Sequence, residues 1–339
     1  MKNHVIAIDA MGGDNAPLEI VKGAVESINT HPVNILLVGK EDMLWQELKK
    51  YTYDSSRVKI INATQVIETT EMPTVAIKQK TDSSIVTGLC LLKEDKAKAF
   101  ISAGSTGALL TGATLKVGYI KGIKRPALAT LLPTEKGVCL LIDCGANVDS
   151  KPEYLIQFAQ MGSLYMENVV GIKNPKVALV NIGLEAEKGN ALTKEAHALL
   201  LKENSLNFTG NIEARDVLVG TADVIVCDGF VGNVILKSLE GAAAFLFSVV
   251  KSTSEVSADG TIGSFLAQNY FKNVKEQFDY SETGGGAIFL GLKHLIIKAH
   301  GSAKAKNIVE VVKQVSRFID DNLVQKIEEQ ILEATENDI

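Results

Sequence analysis

Short runs in this sequence set acidic, amide or cationic side chains beside glycine: I-D-A-M-G-G-D-N-A-P (Ile8 to Pro17), S-A-G-S-T-G-A (Ser102 to Ala108), D-C-G-A-N (Asp143 to Asn147), E-K-G-N (Glu187 to Asn190), D-G-F-V-G-N (Asp228 to Asn233) and A-H-G-S (Ala299 to Ser302). Glycine bares backbone N–H groups, and asparagine and lysine add side-chain donors. That inventory suits a small oxyanion, to which each charge-assisted hydrogen bond contributes roughly 1.5–3 kcal/mol. The aspartates Asp9, Asp14, Asp143, Asp216 and Asp228 cannot all face an anion without repulsion, so most are expected to hold loops or lysines by accepting hydrogen bonds. His300 precedes a glycine and either protonates a leaving group, binds the anion or is structural. His4, His31, His197 and His294 sit in ordinary strand, turn or helix contexts.

Motif exclusion narrows the chemistry. Neither G-x-x-x-x-G-K-[ST] nor G-x-G-x-x-G after a strand is present, and G-x-S-x-G and H-E-x-x-H are missing as well. Cys90, Cys139, Cys144 and Cys227 lie in or beside apolar runs with no C-x-x-C pair, which predicts buried free thiols. Cys144 has no activating base nearby in sequence and is not read as a nucleophile. No metal and no cofactor is expected.

The elements that must position these runs follow a βα rhythm. Val5 to Ile8 reads as a buried strand with Asp9 at its carboxyl end, and Pro17 to Asn29 as a helix burying Ile20, Val21, Ala24, Val25 and Ile28. Gly12 and Gly13 make the turn between them. Val33 to Val38 is the next strand, and Glu41 to Tyr51 a helix with Leu44, Trp45 and Leu48 inward. Pro73 opens a segment with Lys78 and Lys80, then an amphipathic helix from Ser83 to Glu94 leads to the strand Ala97 to Ser102. Gly104, Ser105, Thr106 and Gly107 follow it and precede the apolar helix Leu109 to Ile120, a start suited to an anion. Leu128 to Leu132 and Gly137 to Ile142 flank P-T-E-K as a hairpin ending at Asp143.

Pro152 begins a helix to about Val170, with Gly171 as its stop. Lys176 to Asn181 is a strand, followed by a polar loop to Asn190 and a helix to Asn204. Ala222 to Val226 is a strand, then a long helix runs from Phe230 to Lys251. Thr261 to Phe278 is amphipathic, with Ile262, Phe265, Leu266, Phe271, Val274 and Phe278 in one stripe. Leu295 to Ala299 is a late strand, and Lys306 to Leu332 a closing helix. In an open α/β sheet ligands bind in the crevice beyond strand carboxyl ends, which would gather these runs on one rim.

With 339 residues, 46% of them hydrophobic and 22% charged, the chain has the composition of a globular α/β enzyme without a linker that would separate domains. A net charge of -5 and the lack of a basic stripe argue against nucleic acid as a partner. Asp9 interrupts the N terminus before a secretory signal can form, and Ala242 to Val250 is too short to span a bilayer, so a cytoplasmic location is expected.

Seven ordered runs, the six above extended to S-A-G-S-T-G-A-L, D-C-G-A-N-V-D-S-K-P-E and K-A-H-G-S, together with N-I-E-A-R-D, closely resemble the bacterial phosphate acyltransferase family over nearly the whole chain. The resemblance implies conversion of long-chain acyl-(acyl carrier protein) and inorganic phosphate to acyl phosphate, the first step of one route to phosphatidic acid. It also implies a Rossmann-like three-layer α/β/α sandwich similar to phosphate acetyltransferases and isopropylmalate dehydrogenases, with a projecting helical pair. Residues 1–335 would form one unit, with 234–280 as a helical projection for dimerisation and membrane contact.

Lys188 and Asn233 occupy motif positions that the resemblance associates with catalysis, Lys188 to neutralise phosphate and Asn233 to orient it or donate to the oxyanion, with His300 as a third candidate. Phosphate contacts are expected from Asp9, Gly12, Gly13, Asp14, Gly104, Ser105, Thr106, Gly107, Asp143, Asn147, Asn190, Asp228, Gly229 and Gly232. Ser105 stands where the family commonly has asparagine, and Leu184 where it has a smaller or polar residue. The implied partners are acyl carrier protein, a second copy of the chain, the inner membrane face and a downstream glycerol-3-phosphate acyltransferase. Competing readings are a phosphate acetyltransferase using coenzyme A, a nicotinamide-linked dehydrogenase of the same fold, and a noncatalytic membrane scaffold for lipid enzymes.

Overall fold

The computed structural model describes residues 4–256 and 285–337. In chain order the elements are β1 (His4–Asp9), α1 (Leu18–Thr30), β2 (Val33–Gly39), α2 (Glu41–Leu48), β3 (Val58–Asn62), α3 (Pro73–Gln79), α4 (Ser84–Lys93), β4 (Ala99–Ser102), α5 (Thr106–Lys116), β5 (Ala127–Thr134) and β6 (Gly137–Ile142). Then come α6 (Pro152–Tyr165), β7 (Lys176–Asn181), α7 (Ala191–Leu200), β8 (Asn207–Glu213), β9 (Val224–Val226), α8 (Gly229–Val256), β10 (Ala287–Leu290), β11 (Leu295–Lys298), α9 (Ala305–Asp320) and α10 (Leu323–Asn337).

Among the described residues the strands form one sheet in the order β3-β2-β1-β4-β11-β10-β5-β6-β9-β7-β8. Side chains of a strand alternate between its two faces, so Ile6 and Ile8 join one apolar core while Ala7 joins the other. The first core is closed by α1, α2, α6, α7, α9 and α10, and the second by α3, α4, α5 and α8. Helices on both faces make this the expected three-layer α/β/α sandwich, and burial on both sides is why its central strands read as unbroken apolar runs.

Strand direction reverses in the middle of the sheet, and this decides where the polar runs go. β1, β4 and β11 are mutually parallel. The next three pairings, β11 with β10, β10 with β5 and β5 with β6, are all antiparallel. β6, β9 and β7 are again parallel to one another, so they run opposite to β1, β4 and β11. Carboxyl ends of the two sets therefore face opposite edges of the sheet, and the single rim expected from the βα rhythm does not form.

Other expectations change for local reasons. Trp45 is 46% exposed rather than inward; its indole N–H donates to Glu41 Oε1 at 3.3 Å on the same helix. The closing helix is two helices, parted at Asp321 and Asn322, where Asn322 takes a left-handed φ of 52° that ends the first. The long helix starts at Gly229, one residue before the expected Phe230, and runs on to Val256, so Asn233 lies within its first turns. The Gly229–Leu246 stretch of α8 is long and apolar enough to cross a membrane by length and composition, a longer window than Ala242 to Val250. The expected Thr261 to Phe278 helix, and with it the second member of the helical pair, lies outside the described residues.

Candidate active site

At the edge where β1, β4 and β11 end, the Asp9 carboxylate is buried. Its Oδ1 accepts from the Met11 N–H at 3.1 Å and its Oδ2 from the Ser102 hydroxyl at 2.7 Å. Burial pushes Asp9 above the usual carboxylate range, against the pull of hydrogen bonds from Ser102, Ser84, Met11 and Gly12. Ser102 Oγ accepts in turn from the Gly104 N–H at 3.0 Å. A Cβ at Gly12 would stand 2.4 Å from Asp9 Oδ2 and 2.6 Å from the Gly104 nitrogen, so only glycine lets these two loops close on each other. Asp9 and Gly104 thus brace the loops instead of reaching outward.

Gly13, Asp14, Ser105 and Thr106 line a polar cavity of about 390 Å³ with Lys298 and Gly301. Asp14 is tied to the β11 end by its N–H, which donates to the Gly301 carbonyl at 2.8 Å. Ser105 caps α5 by accepting from the Ala108 N–H at 3.4 Å, and Gly107 packs on Pro73 in the first turn of that helix. Lys298 donates to the carbonyls of Ala103, at 3.1 Å, and Ala299. Burial, joined by the charge of Lys237, lowers the Lys298 ammonium to a pKa of about 8, while Asp9 and Asp14 oppose the shift.

At the opposite edge Asp143 is also buried and wholly engaged. Its Oδ1 accepts from the N–H groups of Leu128 (3.0 Å), Gly145 (3.2 Å) and Ala146 (3.0 Å). Its Oδ2 accepts from the Asn147 N–H (2.6 Å) and side-chain amide (2.9 Å). The Asn147 carbonyl takes the Gly229 N–H at 2.7 Å, and Asp228 caps α8 by accepting from Phe230 and Val231 N–H at 2.9 and 3.0 Å. A Cβ at Gly232 would fall 1.9 Å from the Asp143 carbonyl oxygen, so the absence of a side chain there seats α8 on the β6 end. Asp143, Asn147, Asp228, Gly229 and Gly232 together fix the start of α8.

Lys188 stands exposed in the loop after β7. Asn181 Nδ2 donates to the Lys188 carbonyl at 3.0 Å, Asn190 caps α7 by accepting from the Thr193 N–H at 2.9 Å, and Asn211 Nδ2 reaches the Glu185 carbonyl at 3.0 Å. His197 Nδ1 shares a 2.9 Å hydrogen bond with Asn211 Oδ1, a structural role behind this loop.

The link between the two edges is α8. Asn233, Lys237 and Glu240 recur at helical spacing and so share one flank of it. Asn233 Nδ2 donates to the Cys144 carbonyl at 3.4 Å at one end of that flank. At the other, Glu240 Oε2 lies 2.7 Å from Lys237 Nζ and 3.8 Å from His300 Nε2. Burial raises the Glu240 carboxyl, but His300 and Lys237 outweigh it and hold it below its ordinary value. His300 also meets Ser302 Oγ at 2.8 Å through Nδ1.

Asn233 and His300 are therefore joined along one flank, and the loop that carries Lys188 lines a cavity with Phe230, Val231 and Val234 beside that flank. Lys237, Glu240 and Lys298 complete the flank and were not singled out in the sequence. The i, i+4, i+7 spacing from Asn233 could have found the first two; Lys298 is exposed as a candidate only once β11 is laid beside β4. Cys144 and Cys227 lie close to this flank, but burial first, then neighbouring acids, push both thiols well above the ordinary range.

The sheet with opposed halves and α8 bridging its two edges are shared with solved enzymes. The fold is shared with a phosphotransacetylase from Streptococcus pyogenes, at a TM-score of 0.64 and 16% identity over 95% of this chain and 94% of that one. A branched-chain phosphotransacylase from Enterococcus faecalis aligns at a TM-score of 0.57 and 15% identity, covering 93% of this chain and 98% of that one. Residues 4–326 match the family described as fatty acid synthesis protein. Over 336 residues the chain is 48% identical to the phosphate acyltransferase of Clostridium botulinum strain Loch Maree, covering 99% of this chain and 100% of the relative. That of Clostridium perfringens strain SM101 is 48% identical over 327 residues, 96% of each chain. The chain belongs to the phosphate acyltransferase family, and is an acyltransferase with an acyl donor and phosphate as its substrates.

Proposed function

We propose that the donor is a long-chain acyl-(acyl carrier protein), that the product is acyl phosphate for phospholipid synthesis, and that phosphate attacks the thioester directly. The observation that carries the mechanism is the flank of α8: Asn233 and Lys237 lead to His300 and Lys298, supplying cations and an amide without an enzyme nucleophile. Phosphate is already anionic and nucleophilic near neutral pH. The site has only to hold it against the carbonyl and stabilise the oxyanion that forms. Asn233 donates to that oxyanion, Lys188 approaches from the loop after β7, and His300 protonates the departing thiolate. Acyl carrier protein and coenzyme A donors supplied in competition test the donor: preference for the carrier protein supports this reading, and preference for coenzyme A replaces it with the acetyltransferase one.

Lys298 makes the phosphate step pH-dependent in this account. Its ammonium is charged below a pKa of about 8 and loses its charge above it. The KM for phosphate is expected to climb between pH 7 and pH 9, and Lys298→Met should raise KM at pH 7 and flatten that climb. An equal climb in the variant would remove Lys298 from phosphate binding.

The acidic carrier protein is proposed to dock on Lys121, Lys124 and Arg125, exposed beyond the α5 end. A hydrogen bond donated by its guanidinium to Tyr154 raises Arg125 further, keeping it cationic. Reversing two of these charges should raise the carrier-protein KM by about tenfold at low salt and much less at high salt. An unchanged KM across the salt series rejects the patch.

One catalytic unit over 1–335, pairing of two copies through α8, and contact of 234–280 with the inner membrane face belong to the same proposal. It is supported by Phe245 and Leu246, 67% and 61% exposed on α8.

A further inference from the structure

The second cavity, of about 580 Å³, opens beside the first turns of α8, between the loop that carries Lys188 and the helix. Its floor is formed by Leu155, Leu179, Cys227 and Ile235, all buried. Ile182, Phe230 and Val234 stand at its mouth, 78%, 61% and 50% exposed. Its polar wall atoms are few and mostly make local hydrogen bonds. Asn181 holds the Lys188 carbonyl, Asn190 caps α7, and Asp228 caps α8. The floor offers a ligand no hydrogen-bonding side chain, so it favours hydrocarbon over polar groups.

We infer that this cavity holds the aliphatic chain of the acyl donor and sets the chain length the enzyme accepts. The inference rests on the acyl-transfer reading above and deepens it. The size falls within the range of small-ligand pockets. Position also favours an acyl chain over a free apolar ligand. The chain's carbonyl end would leave the mouth at the first turns of α8, close to Asn233 and to the loop that carries Lys188. Extending inward past Val231, each buried methylene contributes about fourfold in affinity. Phe230 and Val234 then discriminate at the entrance and Val231 along the wall.

The test pairs palmitoyl and butyryl donors on the same carrier. Val231→Phe fills the cavity, and the ratio of kcat/KM for palmitoyl over butyryl is expected to fall by at least about tenfold, the equivalent of roughly two methylenes expelled. Val234→Trp, at the half-exposed mouth, should move the ratio the same way if Val231→Phe fails to fold. A ratio unchanged in a folded variant overturns the inference. Binding of palmitate to the unmodified chain, followed by calorimetry, separates this claim from the reading it rests on. Palmitate binding lost in Val231→Phe supports the cavity even if no donor gives acyl phosphate. Binding that survives the substitution places the chain elsewhere.

Discussion

Lys188→Ala and Asn233→Ala are each expected to lower kcat for acyl phosphate formation by about a hundredfold to a thousandfold, the loss associated with a single oxyanion donor. Asn233 stands in the first turns of α8 and Lys188 in the loop after β7, and neither belongs to the apolar core. Lys188 is exposed, and it is its backbone carbonyl, not its ammonium, that Asn181 holds. Asn233 makes one long amide contact, 3.4 Å to the Cys144 carbonyl, that a water can replace. The urea midpoint of each variant should therefore stay within about 1 kcal/mol of the parent. Near-parental turnover by both folded variants would remove them from the chemistry.

Asp143→Ala is expected to do the reverse, destabilising the fold by at least about 3 kcal/mol and abolishing activity as a consequence. The carboxylate holds four backbone N–H groups and the Asn147 amide inside the protein. Removing it strands buried donors from β5 and from the loop that bonds Gly229. Burial raises Asp143 above the usual carboxylate range while those donors pull it down. Asp143→Asn, which keeps one acceptor oxygen, should lose less stability. A wild-type urea midpoint for Asp143→Ala would show that the loop is held by other contacts.

How much of this could be read from the sequence depends on the element. Ile6, Ile8, Ile20 and Val21 are apolar at strand and helix periods, so the order of βα units was legible from them. β3 and β8 were not, because Lys59 and Thr209 leave these edge strands too mixed to stand out, and β10 is only Ala287–Leu290. The reversal of direction across β10, β5 and β6 is a property of pairing and left no mark on composition. That is why Asp9 and Asp143, which look alike as acids ending apolar strands, were expected on one rim and stand on opposite edges. Their shared duty as loop braces was legible only in part: several acids cannot crowd one anion, yet Asp9 and Asp143 were both also expected among the phosphate contacts. Lys298 was hidden because a lysine ending a strand looks solvated until β4 and the α5 start enclose it.

The central claim is that phosphate itself attacks a thioester of acyl carrier protein. Purified chain is mixed with palmitoyl-(acyl carrier protein), and free carrier thiol and acyl phosphate are followed with and without inorganic phosphate. The account predicts that thiol appears only when phosphate is present and matches acyl phosphate mole for mole. Thiol released at the same rate without phosphate, or thiol released without acyl phosphate, would contradict it.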